Sequence, residues 1–391
     1  MNGFLVKIIG DKVNKKEKKK YLCKSKHFSQ GREMSDKDFN PDEVGVDNGS
    51  YFGFPFTEDD AQLVLVSVPW DVTVSYGGGT SYAPDAIIEA STQLDFCDPL
   101  APDVWRRGIA TAPVDYSIQD LSHRLRPDAE KVIRHLEGGG DMTGMTGELM
   151  QRRMKRIEDG CRKMNETVCA QTAALLDRGK AVGLVGGDHS VPYGFLRALG
   201  KRVPEFGILH IDAHCDLRDA YEGFTFSHAS VMFNVLRDIP QVTQLVQTGV
   251  RDFCRSEYEL AQSSPRVTMF DDLTLARNRF DGMTWTEQCR QIVERLPESV
   301  YVSFDIDGLS PELCPHTGTP VPGGLSFNEA VHLVDMVVMS GRRIIGFDMV
   351  EVVPSVEERT DAIVGARILW KLCQLTLKSI QESRFRNQNQ Y

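Results

Sequence analysis

The stretch Phe206-Gly-Ile-Leu-His-Ile-Asp212-Ala213-His214-Cys215-Asp216 decides how this chain is read. Its first six residues are largely apolar and β-prone, the composition of a buried strand. Directly after them Asp212, His214 and Asp216 recur at every second position. In extended backbone alternate side chains share a face, so these three converge on one point at the mouth of a sheet. Cys215 turns away from that point. His210 shares the ligand face one step deeper and is read as a core histidine. Two carboxylates and an imidazole suit a hard to borderline divalent cation.

Two further stretches repeat the pattern. Ala181-Val-Gly-Leu-Val runs into Gly186-Gly187-Asp188-His189-Ser190, and Val300-Tyr-Val-Ser-Phe runs into Asp305-Ile306-Asp307. Four carboxylates packed together repel and raise one another's pKa values. Two divalent cations would cancel that charge, and one would leave an excess. His189 completes a set of His189, Asp212, His214, Asp216, Asp305 and Asp307. Such a pair of ions generates hydroxide near neutral pH and clamps a transition state.

Apolar strand segments near 63–68, 181–185, 206–211, 245–250, 267–270, 300–307 and 344–352 alternate with helical patterns. That alternation predicts a mostly parallel sheet covered on both faces. Ligands then bind beyond the carboxyl ends of the strands, where all six proposed ligands fall. Thr284-x-x-Glu287 and Ser326-x-x-Glu329 read as capping boxes, and Pro84 fits a first helical turn.

The motifs Gly-Gly-Asp-His-Ser, Asp-Ala-His-x-Asp and Ser-x-Asp-x-Asp, in this order, resemble those of the ureohydrolase family, the arginase and agmatinase group. The resemblance covers roughly residues 63–377. It implies an α/β fold: three layers, a mostly parallel sheet of about eight strands with helices on both faces. It implies a binuclear hydrolase in which a metal-bridging hydroxide attacks a guanidinium carbon and urea is released. Glu351 matches the family's guanidinium-binding glutamate, whose carboxylate suits a planar cation with paired N–H groups. His228 matches a histidine that assists proton transfer to the leaving amine, and Asp307 helps to stabilise the tetrahedral intermediate. Asp188 is expected to support the site, and Asp348 to be structural. Tyr221-x-Gly223 followed by Ser227-His228 is similar to the agmatinase branch. Family members are commonly homotrimers or homohexamers.

The chain departs from the family at Ser310-Pro311, where Asp-Pro is usual, and at His316, where Gly is usual. The loop Gly77-Gly78-Gly79 is bare, and Thr80 after it is a candidate substrate contact or a loop cap. No residue set for an amine or amino-acid tail is evident. A closed pocket for a very small substrate follows, which resembles the subgroup that hydrolyses free guanidine to urea and ammonia with nickel. Guanidine with nickel is therefore the first expectation. Agmatinase or guanidinobutyrase is the second, and manganese is the alternative metal. Of another class, a catalytically inactive metal-binding regulator on the same fold stays open. A deacetylase built around one zinc lacks the paired ligand set.

Composition bounds the rest. A net charge of −10 over 391 residues argues against a nucleic-acid partner, whose footprint would be basic. Nine scattered cysteines without a C-x-x-C pair read as reduced thiols in a cytoplasmic protein. No signal peptide and no apolar run of membrane-spanning length is read. Residues 1–60, with a basic run from Lys12 to Lys20, are expected as an N-terminal extension, partly disordered or an arm that wraps a neighbour. Phe52, Phe54 and Phe56 favour packing of its last part. Residues 61–391 are the expected catalytic domain. Within it 115–150 is insertion-like, with a flexible loop at 138–147, ahead of a helix over 151–178 and a final helix near 359–379.

Overall fold

The computed structural model describes residues 39–355 and 357–388. The basic run at 12–20, and with it the expectation of a disordered or wrapping arm, lies outside the described residues.

In chain order the elements are β1 (Leu63–Val68), α1 (Ala83–Ser91), β2 (Ile109–Thr111), α2 (Tyr116–Glu137), α3 (Gly144–Asp177), β3 (Ala181–Gly186), α4 (Pro192–Gly200) and β4 (Phe206–Ile211). There follow α5 (Val231–Asp238), β5 (Val242–Thr248), α6 (Arg255–Ser263), β6 (Val267–Phe270), α7 (Asp272–Phe280), α8 (Trp285–Glu294), β7 (Ser299–Asp305), α9 (Phe327–Met339), β8 (Arg343–Val350) and α10 (Thr360–Gln388). The eight strands form one sheet in the order β2-β1-β3-β8-β7-β4-β5-β6. Every neighbouring pair is parallel. Every residue of β1, β3 and β4 is buried, so helices cover both faces of the sheet there. The chain leaves β3 on one side of β8 and β7 and returns as β4 on the other. At such a switch the loops after adjacent strands diverge and open a crevice.

Both capping boxes form: Thr284 opens α8 and Ser326 opens α9. Pro84 lies in the first turn of α1. The end of the N-terminal extension is packed, as its alternating aromatics suggest. Phe52 and Phe54 are buried against Phe96 and against Trp370 of α10, at ring-centroid distances of 5.2 Å (Phe52–Trp370) and 4.8 Å (Phe54–Phe96).

Residues 115–150 correct the expectation of an insertion-like loop. They hold the 22-residue helix α2 and the start of the 34-residue helix α3. Glycines at 144 and 147 read as breakers in the sequence. Gly147 instead lies inside α3 where a Cβ would come within 2.2 Å of the Met142 carbonyl carbon, so its bareness lets the helix close on the preceding turn. Gly144, at φ +64°, starts that helix. The final helix also runs further than expected, to Gln388.

Candidate metal centre

Three loops reach the crevice, after β3, β4 and β7. The loop after β3 brings in His189. Its Nδ1 lies 3.0 Å from Asp212 Oδ2, 3.1 Å from Asp216 Oδ2 and 3.1 Å from Asp305 Oδ2. Nδ1 is buried and hydrogen-bonded to none of the three, and Asp216 Oδ2 is likewise buried without a partner. Four donor atoms that crowd one point without bonding to each other have the arrangement of a coordination shell. A second point lies beside it. His214 Nδ1 is 3.2 Å from Asp307 Oδ2 and 3.4 Å from Asp212 Oδ1. Asp212 thus offers one oxygen to each point.

All six carboxylate and imidazole groups expected as ligands are brought together. The strand ends explain why. Asp212 takes the N–H of His214 on Oδ1, Asp305 takes the N–H of Asp307, and Asp307 takes the N–H of Ala213 on its Oδ1. The turns after β4 and β7 are each closed by their own carboxylate, Asp212 and Asp305, and Asp307 ties the second turn to the first. Asp216 sits at φ +54°, in the left-handed region, and that kink turns it back toward the first point.

The electrostatics point the same way. Burial, then repulsion from Asp212, pushes Asp216 up to about 6. Burial, then Asp307 and Asp212, pushes Asp305 well up. Burial opposes charge on His214, but Asp307 and Asp212 outweigh it and hold the imidazole up to about 12. Asp212 goes the other way: burial opposes its charge, but His210, His189 and His214 outweigh it and hold it well below the usual carboxylate range. Raised Asp216 and Asp305 beside raised imidazoles still describe a buried cluster rich in negative charge, which cations relieve. The donor set, all oxygen and imidazole nitrogen, fits divalent cations of the hard to borderline class.

A polar row underlies these groups. Gln247 on β5, His210 on β4, Ser303 on β7 and Asp348 on β8 are register partners across four adjacent strands. Ser303 donates to Asp348 Oδ2 at 2.8 Å, so its oxygen accepts the Nε2–H of His189 at 2.9 Å. That leaves Nδ1 of His189 with its lone pair facing the carboxylates. At the other end the Gln247 amide donates to the Cys215 carbonyl at 2.7 Å and to His210 Nδ1 at 3.0 Å. His210 Nε2 therefore carries a proton and donates it to Asp212 Oδ2 at 2.7 Å. His210 is close enough to count among potential ligands, but its proton makes it a donor to Asp212. Buried as expected, it is more than packing. Asp348, expected as structural, acts on His189 through Ser303. Ser303 is legible in the sequence only as the first residue of the Ser-x-Asp-x-Asp motif; its role, and Gln247 altogether, are not.

Glu351 follows β8 at φ +65°, a strained conformation for a non-glycine residue. Its Oε1 accepts the backbone N–H of His189 at 2.8 Å, while Oε2 is buried without a partner. Burial, then the Asp188 carboxylate, pushes its pKa well up. The loop at 317–318 closes against it: a Cβ on Gly318 would lie 2.7 Å from Oε2. The Gly77 N–H donates to the Gly318 carbonyl at 3.2 Å, so the bare glycine loop joins this wall. Asp188 spends Oδ1 on the backbone N–H and hydroxyl of Ser190. Burial pushes it up to about 7.

His228 opens a short 3-10 turn, His228–Ser230. Its Nδ1 is 3.1 Å from the Thr73 carbonyl and its Nε2 is 3.4 Å from Ser75 Oγ. Burial, then the cationic form of His214, pushes its pKa down to about 3, so the ring is neutral. A carbonyl only accepts, hence Nδ1 carries the proton and Nε2 is the accepting nitrogen, facing the Ser75 hydroxyl. Thr80 is fully buried, and its hydroxyl has no hydrogen-bond partner among the described residues. No hydrogen bond or ion pair links it to the ligand cluster.

The chain matches the family model for the arginase family over residues 61–374. It is 31% identical over 302 residues to N(1)-aminopropylagmatine ureohydrolase of Thermus thermophilus, covering 76% of this chain and 84% of that one. It is 28% identical over 309 residues to an agmatinase of Bacillus anthracis, covering 79% and 89%. Among solved structures, proclavaminate amidino hydrolase from Streptomyces clavuligerus superposes with a TM-score of 0.64 at 21% identity, over 86% of this chain and 99% of that one. Among the described residues no helix is long and apolar enough to cross a membrane. The family match over most of the chain, the relatives at this coverage and the shared fold lead to one conclusion: the chain belongs to the arginase family of ureohydrolases.

Proposed function

We propose that this chain hydrolyses a guanidinium C–N bond and that its substrate is guanidine itself, converted to urea and ammonia. Two divalent cations, nickel in preference to manganese, would be held by His189, Asp212, Asp216 and Asp305 at one point and by Asp212, His214 and Asp307, beside Asp305, at the other. Bound there, they would supply Lewis-acid activation of water near neutral pH.

The observation that carries the reading is Glu351 Oε2, a buried carboxylate oxygen without a partner beside the ligand cluster. Guanidinium is a planar cation whose N–H groups match such an acceptor. Oε1 keeps a second lone pair beside its bond to His189, so both oxygens can face the cation. The base side is His228, whose Nε2 lone pair can take a proton from the attacking water and pass it to the leaving nitrogen. Atoms balance: guanidinium and water give urea and ammonium, with both water hydrogens on the departing nitrogen. Asp307 would help to hold the protons of the tetrahedral intermediate. The wall formed by Gly318 and the glycine loop favours a small substrate over one with a long tail. Thr80 would act there by shaping the loop.

Agmatine is the second reading, favoured by the relatives that bear agmatinase and aminopropylagmatine ureohydrolase names. In either case the protein would work in the cytoplasm as a homotrimer or homohexamer, without nucleic-acid or membrane partners. The test is urea and ammonia release from guanidine, agmatine, 4-guanidinobutyrate and arginine, with apo-protein reloaded separately with nickel or manganese. Equal urea and ammonia from guanidine, with little from the others, supports the first reading. Urea chiefly from agmatine or guanidinobutyrate replaces it with the second. No urea with either metal favours an inactive metal-binding regulator.

A further inference from the structure

We propose that α2 is a positioning element for the proton-transferring histidine, with Arg126, Ser122 and Gln119 holding loop 71–81 so that Thr73 fixes the tautomer of His228. The inference rests on the reading of His228 as the proton carrier.

These three residues are spaced three and four apart, on one face of α2. Each holds a different part of the loop. Ser122 exchanges hydrogen bonds with Asp71: its hydroxyl donates to Asp71 Oδ1 at 3.0 Å and its oxygen accepts the Asp71 N–H at 3.1 Å. Asp71 Oδ2 in turn gathers the far end of the loop, accepting from Gly79 N–H at 3.0 Å and from the Ser81 hydroxyl at 2.9 Å. Gln119 donates to the Ser81 carbonyl at 3.2 Å. Beginning and end of the loop are thus pinned to the same helix.

Arg126 holds the middle. Its Nη1 donates to the Val72 carbonyl at 3.1 Å and more closely to the Val74 carbonyl. The carbonyl between them, of Thr73, is the one that accepts from His228 Nδ1. Two residues on, Ser75 offers its hydroxyl to Nε2. The guanidinium therefore grips the chain on either side of the atom that orients the imidazole. Arg126 itself is ion-paired with Glu130 at 3.4 Å, one turn further along the helix. If the Thr73 carbonyl turned aside, either ring nitrogen could carry the proton, and Nε2 would not reliably be the acceptor. This assigns a purpose to a segment that reads as an insertion in the sequence. Its helix is a brace for a catalytic loop whose regular structure begins only at its end, in the 3-10 turn Thr80–Tyr82.

The test compares Arg126→Met, Arg126→Lys, His228→Asn and the Arg126→Met/His228→Asn double variant, with guanidine and agmatine as probes. Arg126→Met should lower kcat about ten-fold, with KM, metal content and Tm near the parent values, and Arg126→Lys should recover most of it. In the His228→Asn background Arg126→Met should cost nothing more, since a residue that acts through another is not additive with it. Long-range 1H–15N spectra of histidine-labelled protein should show His228 as the Nδ1–H tautomer in the parent and as a mixture in Arg126→Met. Should Arg126→Met fail to fold, Gln119→Met, which removes a single contact, should give a few-fold fall in kcat with the same non-additivity. Additive losses, an unchanged tautomer, or a loss confined to KM would overturn the inference. If His228→Asn loses no activity, the role of His228 falls and this inference with it. If His228→Asn is slow while Arg126→Met is not, only the bracing role falls.

Discussion

The backbone N–H of His189 donates to Glu351 Oε1 at 2.8 Å, and the N–H of Glu351 donates to the carbonyl of Gly187. The loop after β3 and the end of β8 are locked to each other at the floor of the site. A ligand imidazole and the carboxylate proposed to dock the guanidinium therefore keep a fixed separation. On the proposed reading, a reacting carbon docked on Glu351 would be placed relative to ions that His189 would hold, which is how binding energy becomes orientation.

Glu351→Gln keeps an oxygen for the His189 N–H but loses the charge. A hydrogen bond to a charged group is worth about 1.5–3 kcal/mol, so kcat/KM should fall roughly 10- to 100-fold or more. Metal content, read by plasma mass spectrometry, should be unchanged. Loss of metal along with activity would place Glu351 in the metal shell instead.

Asp212 faces both points, while Asp216 faces the first alone. Asp212→Asn should reduce bound metal from about two ions per chain toward none, whereas Asp216→Asn should retain about one. Stoichiometry after gel filtration in metal-free buffer distinguishes them. Equal losses in both variants would contradict the shared role of Asp212.

Ser303→Ala removes the acceptor that keeps the proton of His189 on Nε2. Metal affinity at the first point should drop about 10- to 100-fold, as for other groups that orient metal ligands. Competition with a chelator reads this directly. Asp348→Asn should give a smaller loss in the same direction, because Ser303 would still be present.

Glu222 lies half-buried at φ +53°; burial, then repulsion from Glu137, pushes its pKa from 4.5 up to about 7. The folded chain therefore holds this proton in a window where the unfolded chain has lost it. Between pH 4.5 and about 7 the contribution of Glu222 to stability falls as pH rises. Glu222→Gln removes that penalty. It should raise Tm at pH 8, by less at pH 6, and leave it near the parent value at pH 4. A shift independent of pH would show that the carboxylate charge is not the cause.

The convergence of the six carboxylate and imidazole groups is legible because it is encoded locally. Each ligand follows an apolar strand within a few residues, and Asp212, His214 and Asp216 obey the two-residue period of extended chain. Glu351 and His228 are harder, since each is a single residue whose meaning came from resemblance to a family. The two helices at 116–137 and 144–177 were misread in part because glycine signals a break unless one sees what it packs against. Gly147 needs no turn; it needs the absence of a side chain beside Met142.

By itself the sequence determined the parallel α/β sheet, the strand ends that carry the site, and the six carboxylate and imidazole groups. Those depend on periodicity and on residues close together in the chain. Tertiary structure alone decided which protons those groups carry. Gln247, His210, Ser303 and Asp348 lie on four strands far apart in sequence, and they become one row only because β5, β4, β7 and β8 pair in a particular register. Register is fixed by how whole strands and their covering helices pack, a sum of many weak contacts that no local motif expresses. The same holds for Arg126, whose grip on Val72 and Val74 exists only once α2 lies across a loop some fifty residues before it.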